Sequence, residues 1–430
     1  MTASMTDDAA GIRRTELDSG LRVVTERLPA LRSVAVGFWV GTGSRDEPDH
    51  LAGASHFLEH LLFKGTPTRD AGEIAEAVES VGGDMNAFTG QEVTAFYVRV
   101  PDRHVDLALD ILADIVWSPA LRADEVESER HVILEEIRMR DDTPDDLVHE
   151  VFAGALFNDH PLGREVAGTH DTITAMPRDA IADYHRAHYV PANVVVAVAG
   201  NFEHDEVVAA LGHTTPPAGP GRPTRVDGAD VATTLPVALL ERPLEQAHVV
   251  LGTRALRRDD PDRYALAVLD QVLGGGMSSR LFQEVRERRG LAYSVFSYRS
   301  AFEETGALAV YCGTAPERVE EVLEVVSGEL DRLVADGGVA HRELAGAKGH
   351  LTGSLALSLE SSSSRMHRIG RTELTMGEVP TLDDVVAAVE AVTADDVARV
   401  IDRVLGPGRR TLAAVGPVGA LSPAGAIPVT

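Results

Sequence analysis

A proline- and glycine-rich stretch, Thr214-Thr-Pro-Pro-Ala-Gly-Pro-Gly-Arg-Pro223 and onward to about Thr234, splits the 430-residue chain into two halves of the same outline. The first half opens on two β-branched and aromatic runs, residues 21–25 and 34–40, and closes on a helical segment, 181–188, followed by the apolar run 192–200. The second opens on 237–241 and 247–252 and closes on a helical segment, 395–405, followed by 410–416. A supersecondary unit of roughly 200 residues used twice is the economical reading. The expected fold class is therefore α+β. It consists of two homologous α/β-sandwich domains, each a mixed, largely antiparallel sheet with helices packed on it, related by internal duplication. The expected division is 1-213 for the first domain, 214-234 for an extended linker stiffened by proline, and 235-430 for the second.

The first half carries a chemical feature that the second lacks, His56-Phe57-Leu58-Glu59-His60. Residues four apart on a helix share a face, so the two imidazoles stand one turn from each other, with Glu59 close by. Two imidazoles and a carboxylate suit a zinc ion and a water-activating base. The order reverses that of the commoner His-Glu-x-x-His motif. Leu51, Ala52, Ala54, Phe57, Leu58, Leu61 and Leu62 make the segment apolar on most sides, which predicts a buried helix capped by Asp49 and ended by Gly65. A helix over 71–81 and a hairpin of 84–89 with 93–100 follow, then helical segments over 104–116 and 124–140.

The last of these segments is rich in glutamate. Glu129 and Glu136 are seven residues apart and share a face, whereas Glu135 points about 100° away. Val132 and Ile133, four and three residues before Glu136, turn it toward an apolar side. Glu136 is thus the candidate third metal ligand, and Glu129 a neighbour one step further from the metal. Taken alone, both glutamates would read as solvated helix charges; the histidine pair upstream is what singles them out. Gly274-Gly-Gly276 has no phosphate-loop context and reads as a tight turn.

With 67 acidic and 40 basic residues the net charge is −27, which argues against nucleic acid or an anionic membrane as a partner. The single cysteine, Cys312, excludes an intrachain disulfide and a multi-cysteine metal site, and it reads as a core residue of a strand. Residues 1–10 contain Asp7 and Asp8 and read as neither a signal nor a transit peptide. No apolar run approaches the length of about 18 residues needed for a membrane span. The expectation is a cytoplasmic protein.

His56, Glu59, His60 and Glu136 together resemble the zinc-ligand set of the pitrilysin (insulinase-like) metallopeptidases. The short two-domain branch, similar to the catalytic subunit of mitochondrial processing peptidase, is nearest. The family spaces its third ligand about 75 residues after the second histidine, and Leu61 to Glu135 fills that interval here. The resemblance runs from about Leu17 to Val418. It implies one Zn2+ per chain held by His56, His60 and Glu136, catalysis by Glu59 and support from Glu129. It also implies peptide contacts from Arg286 and Tyr293 in the second domain, which on their own would read as a surface charge and a core aromatic. The segment Asn86-Ala87-Phe88-Thr89 is similar to the family's edge strand, on which an extended peptide substrate adds as a further strand. The implied activity is a zinc metalloendopeptidase acting on short or unfolded peptides, working as a homodimer, with a heterodimer as an alternative. The competing reading is a catalytically silent assembly subunit of a processing-peptidase-like complex.

Overall fold

A computed structural model describes residues 5–7, 11–214, 216, 234–406, 410–421 and 427–428; the expected linker lies almost wholly outside them. Two compact units result, each built on one sheet. The first sheet contains β1 (Met5–Asp7), β2 (Ile12–Glu16), β3 (Arg22–Arg27), β4 (Ser33–Val40), β5 (Asp84–Thr89), β6 (Thr94–Pro101) and β7 (Val194–Gly200), in the order β1-β2-β3-β7-β4-β6-β5. The second contains β8 (Val237–Glu241), β9 (Ala247–Ala255), β10 (Ala292–Ala301), β11 (Gly306–Thr314), β12 (Arg410–Gly416) and β13 (Ile427–Pro428), in the order β10-β11-β9-β12-β8-β13. The run β3-β7-β4-β6-β5 in one sheet matches β8-β12-β9-β11-β10 in the other. In each run the first pair is parallel and the rest antiparallel. The duplication read from the outline is thus present strand for strand.

The central strands are apolar on both faces because both faces are covered. β7, Val-Val-Val-Ala-Val-Ala-Gly, is buried throughout, and β4 nearly so. In the first unit one face packs on the helices Ala54–Leu62, Val105–Trp117 and Arg178–His188, through Phe57, Leu58, Leu61, Ile111, Leu112 and Ile181. Cys312 is buried in β11, and burial pushes its thiol up to about 12.

The opposite face of each sheet is covered by a helix from the other half of the sequence. Helix Ser362–Met376 lies on β3, β4 and β7, with Met366, Ile369 and Leu374 against Trp39, Ala197 and Ala199. Helix Pro144–Leu156 lies on β8, β9 and β12, with Val148, Phe152 and Leu156 against Val250, Ala413 and Val415. The compact units are accordingly interleaved along the chain rather than separated at one point. The first joins Met1–Ile137 and Glu165–Val226 with Leu357–Thr381, and the second takes Arg138–Arg164 with the remainder.

The two helix–sheet contacts interlock in opposite senses. Trp39 pairs with Val195, five residues before Gly200, and Gly252 pairs with Thr411, five residues before Gly416. Gly200 and Gly416 end their strands at φ +141 and +134, so Trp39 and Gly252 occupy equivalent positions. In the first unit the strand supplies the large side chain, Trp39, and the helix supplies Gly370, where a Cβ would collide with the indole. In the second the helix supplies Phe152 and the strand supplies Gly252, where a Cβ would sit 2.5 Å from the ring. Filling such a gap strains a packed core by about 1–3 kcal/mol. Gly370→Leu is expected to lower the urea midpoint by that amount. The double variant with Trp39→Ala is expected to lose less than the sum of the two single losses; strict additivity would show that Gly370 does not make room for the indole.

Candidate metal centre

His56, Glu59 and His60 lie on helix Ala54–Leu62, all three half-buried, while Phe57, Leu58, Leu61 and Leu62 anchor the same helix in the core. The expected start signal is corrected. Asp49 falls in a separate 3-10 turn, Asp49–Leu51, and the residue before the helix is Gly53, at φ +95. The acceptor at this end is Glu47, buried at 4 % exposure, whose Oε2 accepts from Gly53 N and Oε1 from Ser55 N, both at 2.7 Å. The helix ends at Leu62, before Gly65, which bridges to Asp70 instead. Ser55 Oγ also meets Tyr184 Oη at 3.1 Å, tying the helix to Arg178–His188.

Helix Ala123–Asp141 brings Glu129 and Glu136 to the same place. Glu136 Oε2 lies 3.6 Å from His56 Nε2 and 3.4 Å from His60 Nε2, and one ligand atom from each of the three residues lies within 4.8 Å of the others. Donors on a tetrahedron of about 2 Å metal–ligand bonds stand about 3.3 Å apart, so the set fits a zinc ion with little adjustment. Among the described residues no other group of three or more such ligands converges in this way.

The protonation states agree with that fit. Glu129 Oε2 lies 3.0 Å from His60 Nδ1, and Lys64 Nζ holds Glu129 Oε1 at 2.7 Å. A carboxylate paired with an ammonium only accepts, so His60 carries its proton on Nδ1 and keeps the Nε2 lone pair toward Glu136. Burial, and then the charge of His60, lowers His56 to about 4, which leaves its imidazole neutral at pH 7. Burial raises Glu59 above the usual carboxylate range; hydrogen bonding with Thr89 and the charge of His60 oppose this, and the charge of Glu136 adds to it.

One step of the sequence reading fails. Val132 is 42 % exposed, so it does not turn Glu136 toward an apolar side. Glu136 is itself half-buried with its side chain 42 % exposed, and Glu129 is the more enclosed of the two at 5 %. The heptad spacing alone brought both to the histidines.

Residues 22–170 match the family described as insulinase (peptidase family M16), and residues 175–351 match the peptidase M16 inactive domain. The chain belongs to the M16 family. A protein of Streptomyces coelicolor named as an uncharacterized zinc protease is 47 % identical over 414 residues, covering 95 % of this chain and 90 % of that one. A Bacillus subtilis protein with the same description is 39 % identical, covering 97 % and 100 %. A protease from Helicobacter pylori of known crystal structure superposes with a TM-score of 0.87 at 25 % identity, over 94 % of this chain and 99 % of that one.

The remaining sequence candidates of this M16 chain lie on two elements. Asn86, Ala87, Phe88 and Thr89 lie on β5, the edge strand of the first sheet, and Asn86 Oδ1 accepts from Ala87 N at 2.8 Å. Arg286 and Tyr293 belong to the second unit and touch each other. Arg286 rides on a π-helical stretch, Phe282–Arg288; its Nη1 donates to Tyr293 O at 3.0 Å, and its guanidinium lies 4.3 Å from the Tyr293 ring centre. Tyr293 is 81 % exposed, so it is not the core aromatic that its sequence neighbours suggest.

Sequence reasoning missed Glu47, Lys64 and the buried pair Arg45–Glu92, whose atoms meet at 2.6 Å. Lys64 was findable, because it follows His60 by four residues. Glu47 and Glu92 gave no local signal, since their partners are set by chain folding. Removing the Glu47 carboxylate strands two backbone N–H donors. Glu47→Ala is therefore expected to destabilise the protein by about 1–3 kcal/mol in equilibrium unfolding; wild-type stability would show that the helix start has other acceptors.

Proposed function

We propose that this chain is a zinc metalloendopeptidase that cleaves short or unfolded peptides. The observation carrying this reading is the convergence of His56 Nε2, His60 Nε2 and Glu136 Oε2, from helices far apart in sequence, at the spacing of a tetrahedral metal shell. The three side chains hold Zn2+ and leave a coordination position for water or substrate. When bound, zinc supplies a Lewis acid that polarises a carbonyl and acidifies water. Glu59, beside the ligands and kept more basic by its burial, takes the proton of the attacking water on its carboxylate and hands it to the leaving amine. Glu129, braced by Lys64, fixes the ring of His60 and its tautomer. The Asn86–Thr89 segment of β5 takes the peptide as an added strand, which binds backbone and so demands little of sequence. Arg286 and Tyr293, already stacked on each other, contact the bound peptide. The active species is a homodimer.

Two variants test the chemistry. Glu59→Gln is expected to keep about one zinc per chain by elemental analysis and to lose cleavage of a quenched fluorescent peptide by about 10²-fold or more. Glu129→Ala is expected to weaken zinc binding by about 10- to 100-fold in a chelator competition. Full activity in Glu59→Gln would sink the mechanism. A zinc-loaded wild type that cleaves nothing would favour the silent assembly subunit. Light scattering on the purified chain is expected to give twice the 45.9 kDa chain mass, and a monomer mass at working concentration would refute the homodimer.

A further inference from the structure

Beside the open edge strand lies a cluster of rings that the chemistry above leaves unused. Side chains on β5 alternate between the two faces of the sheet. Met85 and Ala87 join the core that contains the motif helix, whereas Phe88 joins the opposite face with Trp39 and Ala95. The Phe88 ring stands edge-on to Trp39 at 5.6 Å and lies near-parallel to His367 at 6.3 Å. It lies 6.5 Å from Tyr97, and Tyr97 meets His367 at 4.6 Å. Trp39 is buried, but Phe88, Tyr97 and His367 are each half-buried and keep ring surface open.

The cluster is held from behind. Trp39 donates from Nε1 to Met366 Sδ at 3.4 Å and is hemmed in by Gly370, and His367 Nδ1 bonds to Ser363 O at 2.8 Å on its own helix. A ligand group placed here meets a surface that is already ordered, so little is lost in arranging it.

The geometry of strand addition specifies which group that is. A peptide strand added to β5 runs about 4.8 Å from it, and the residue directly opposite Phe88 brings its Cβ to about 5 Å from that of Phe88 on the same face. The residues on either side of it point to the other face, where Thr89 hydrogen-bonds Glu59. The residue over the rings is therefore next in sequence to one presented toward Glu59. Aromatic cross-strand pairs are favoured beyond the area they bury.

We propose that Phe88, with Tyr97 and His367, forms an aromatic shelf that selects an aromatic or large apolar side chain in the substrate residue adjacent to the one facing Glu59. This rests on the endopeptidase reading and adds to it a substrate class, peptides carrying such a residue within about two positions of the cut bond.

The test uses the zinc-loaded full-length protein and a random peptide library, with the products sequenced. The wild type is expected to enrich Phe, Tyr, Trp and Leu at one position within two residues of the cut. Phe88→Ala is expected to lose that enrichment while keeping zinc content and the preferences at other positions. For a matched peptide pair with Phe or Ala at that position, the wild type is expected to prefer Phe by about three- to tenfold in kcat/KM, mainly through KM, and the variant to show a ratio near one. Phe88→Leu keeps apolar volume and guards against misfolding; it is expected to retain the preference for large side chains over Ala and to lose that for Phe over Leu. A flat wild-type profile, or ratios unchanged in both variants, overturns the shelf. Failure of the wild type to cleave any library peptide overturns the endopeptidase reading itself.

Discussion

Two imidazoles one helical turn apart can serve a cation only if each turns a lone pair to the same point. The contact that secures this for His60 is its bond to Glu129, itself clamped by Lys64. Without that carboxylate the ring could carry its proton on either nitrogen and rotate freely. For His56 burial does the same work, because a protonated imidazole is disfavoured there. The rest of the first unit keeps these groups in register: Glu47 holds the start of the motif helix, and Arg45 with Glu92 ties the turn of the β5–β6 hairpin to the same loop.

The scaffold is one architecture used twice, with only one copy chemically equipped. The copies share strand order and the placement of the parallel pair, yet each covers its sheet with a helix supplied by the other half. Such an exchange means that neither half of the sequence contains a complete sandwich. The reversed pairing of large and small residues, Trp39 on Gly370 and Phe152 on Gly252, conserves volume at the contact while changing which element supplies it. Close packing constrains the sum of the two side chains, so each copy could drift as long as the gap stayed filled.

Much of the candidate site was legible because its signals are local or periodic. The histidine pair is a four-residue spacing, and Glu129 and Glu136 are a seven-residue one, so helix geometry alone aligns them. The apolar argument for Glu136 failed at Val132 because periodicity gives the relative orientation of side chains on a helix but not which side meets protein. Tyr293 was misjudged for a related reason. An aromatic among apolar neighbours reads as core, but an edge strand has one side open.

The sequence by itself determined the duplicated α+β order, the acidic balance and the identity of the convergent donors, since each follows from composition or from spacing within a single element. Only the tertiary structure decided that helices Pro144–Leu156 and Ser362–Met376 cross to the other half's sheet, that Glu47 rather than Asp49 meets the motif helix, and that Phe88, Tyr97 and His367 form one surface. The reason is the same in each case. These contacts join residues remote in the chain, and which apolar face covers which sheet is fixed by complementary volume, a property that no stretch of sequence carries alone.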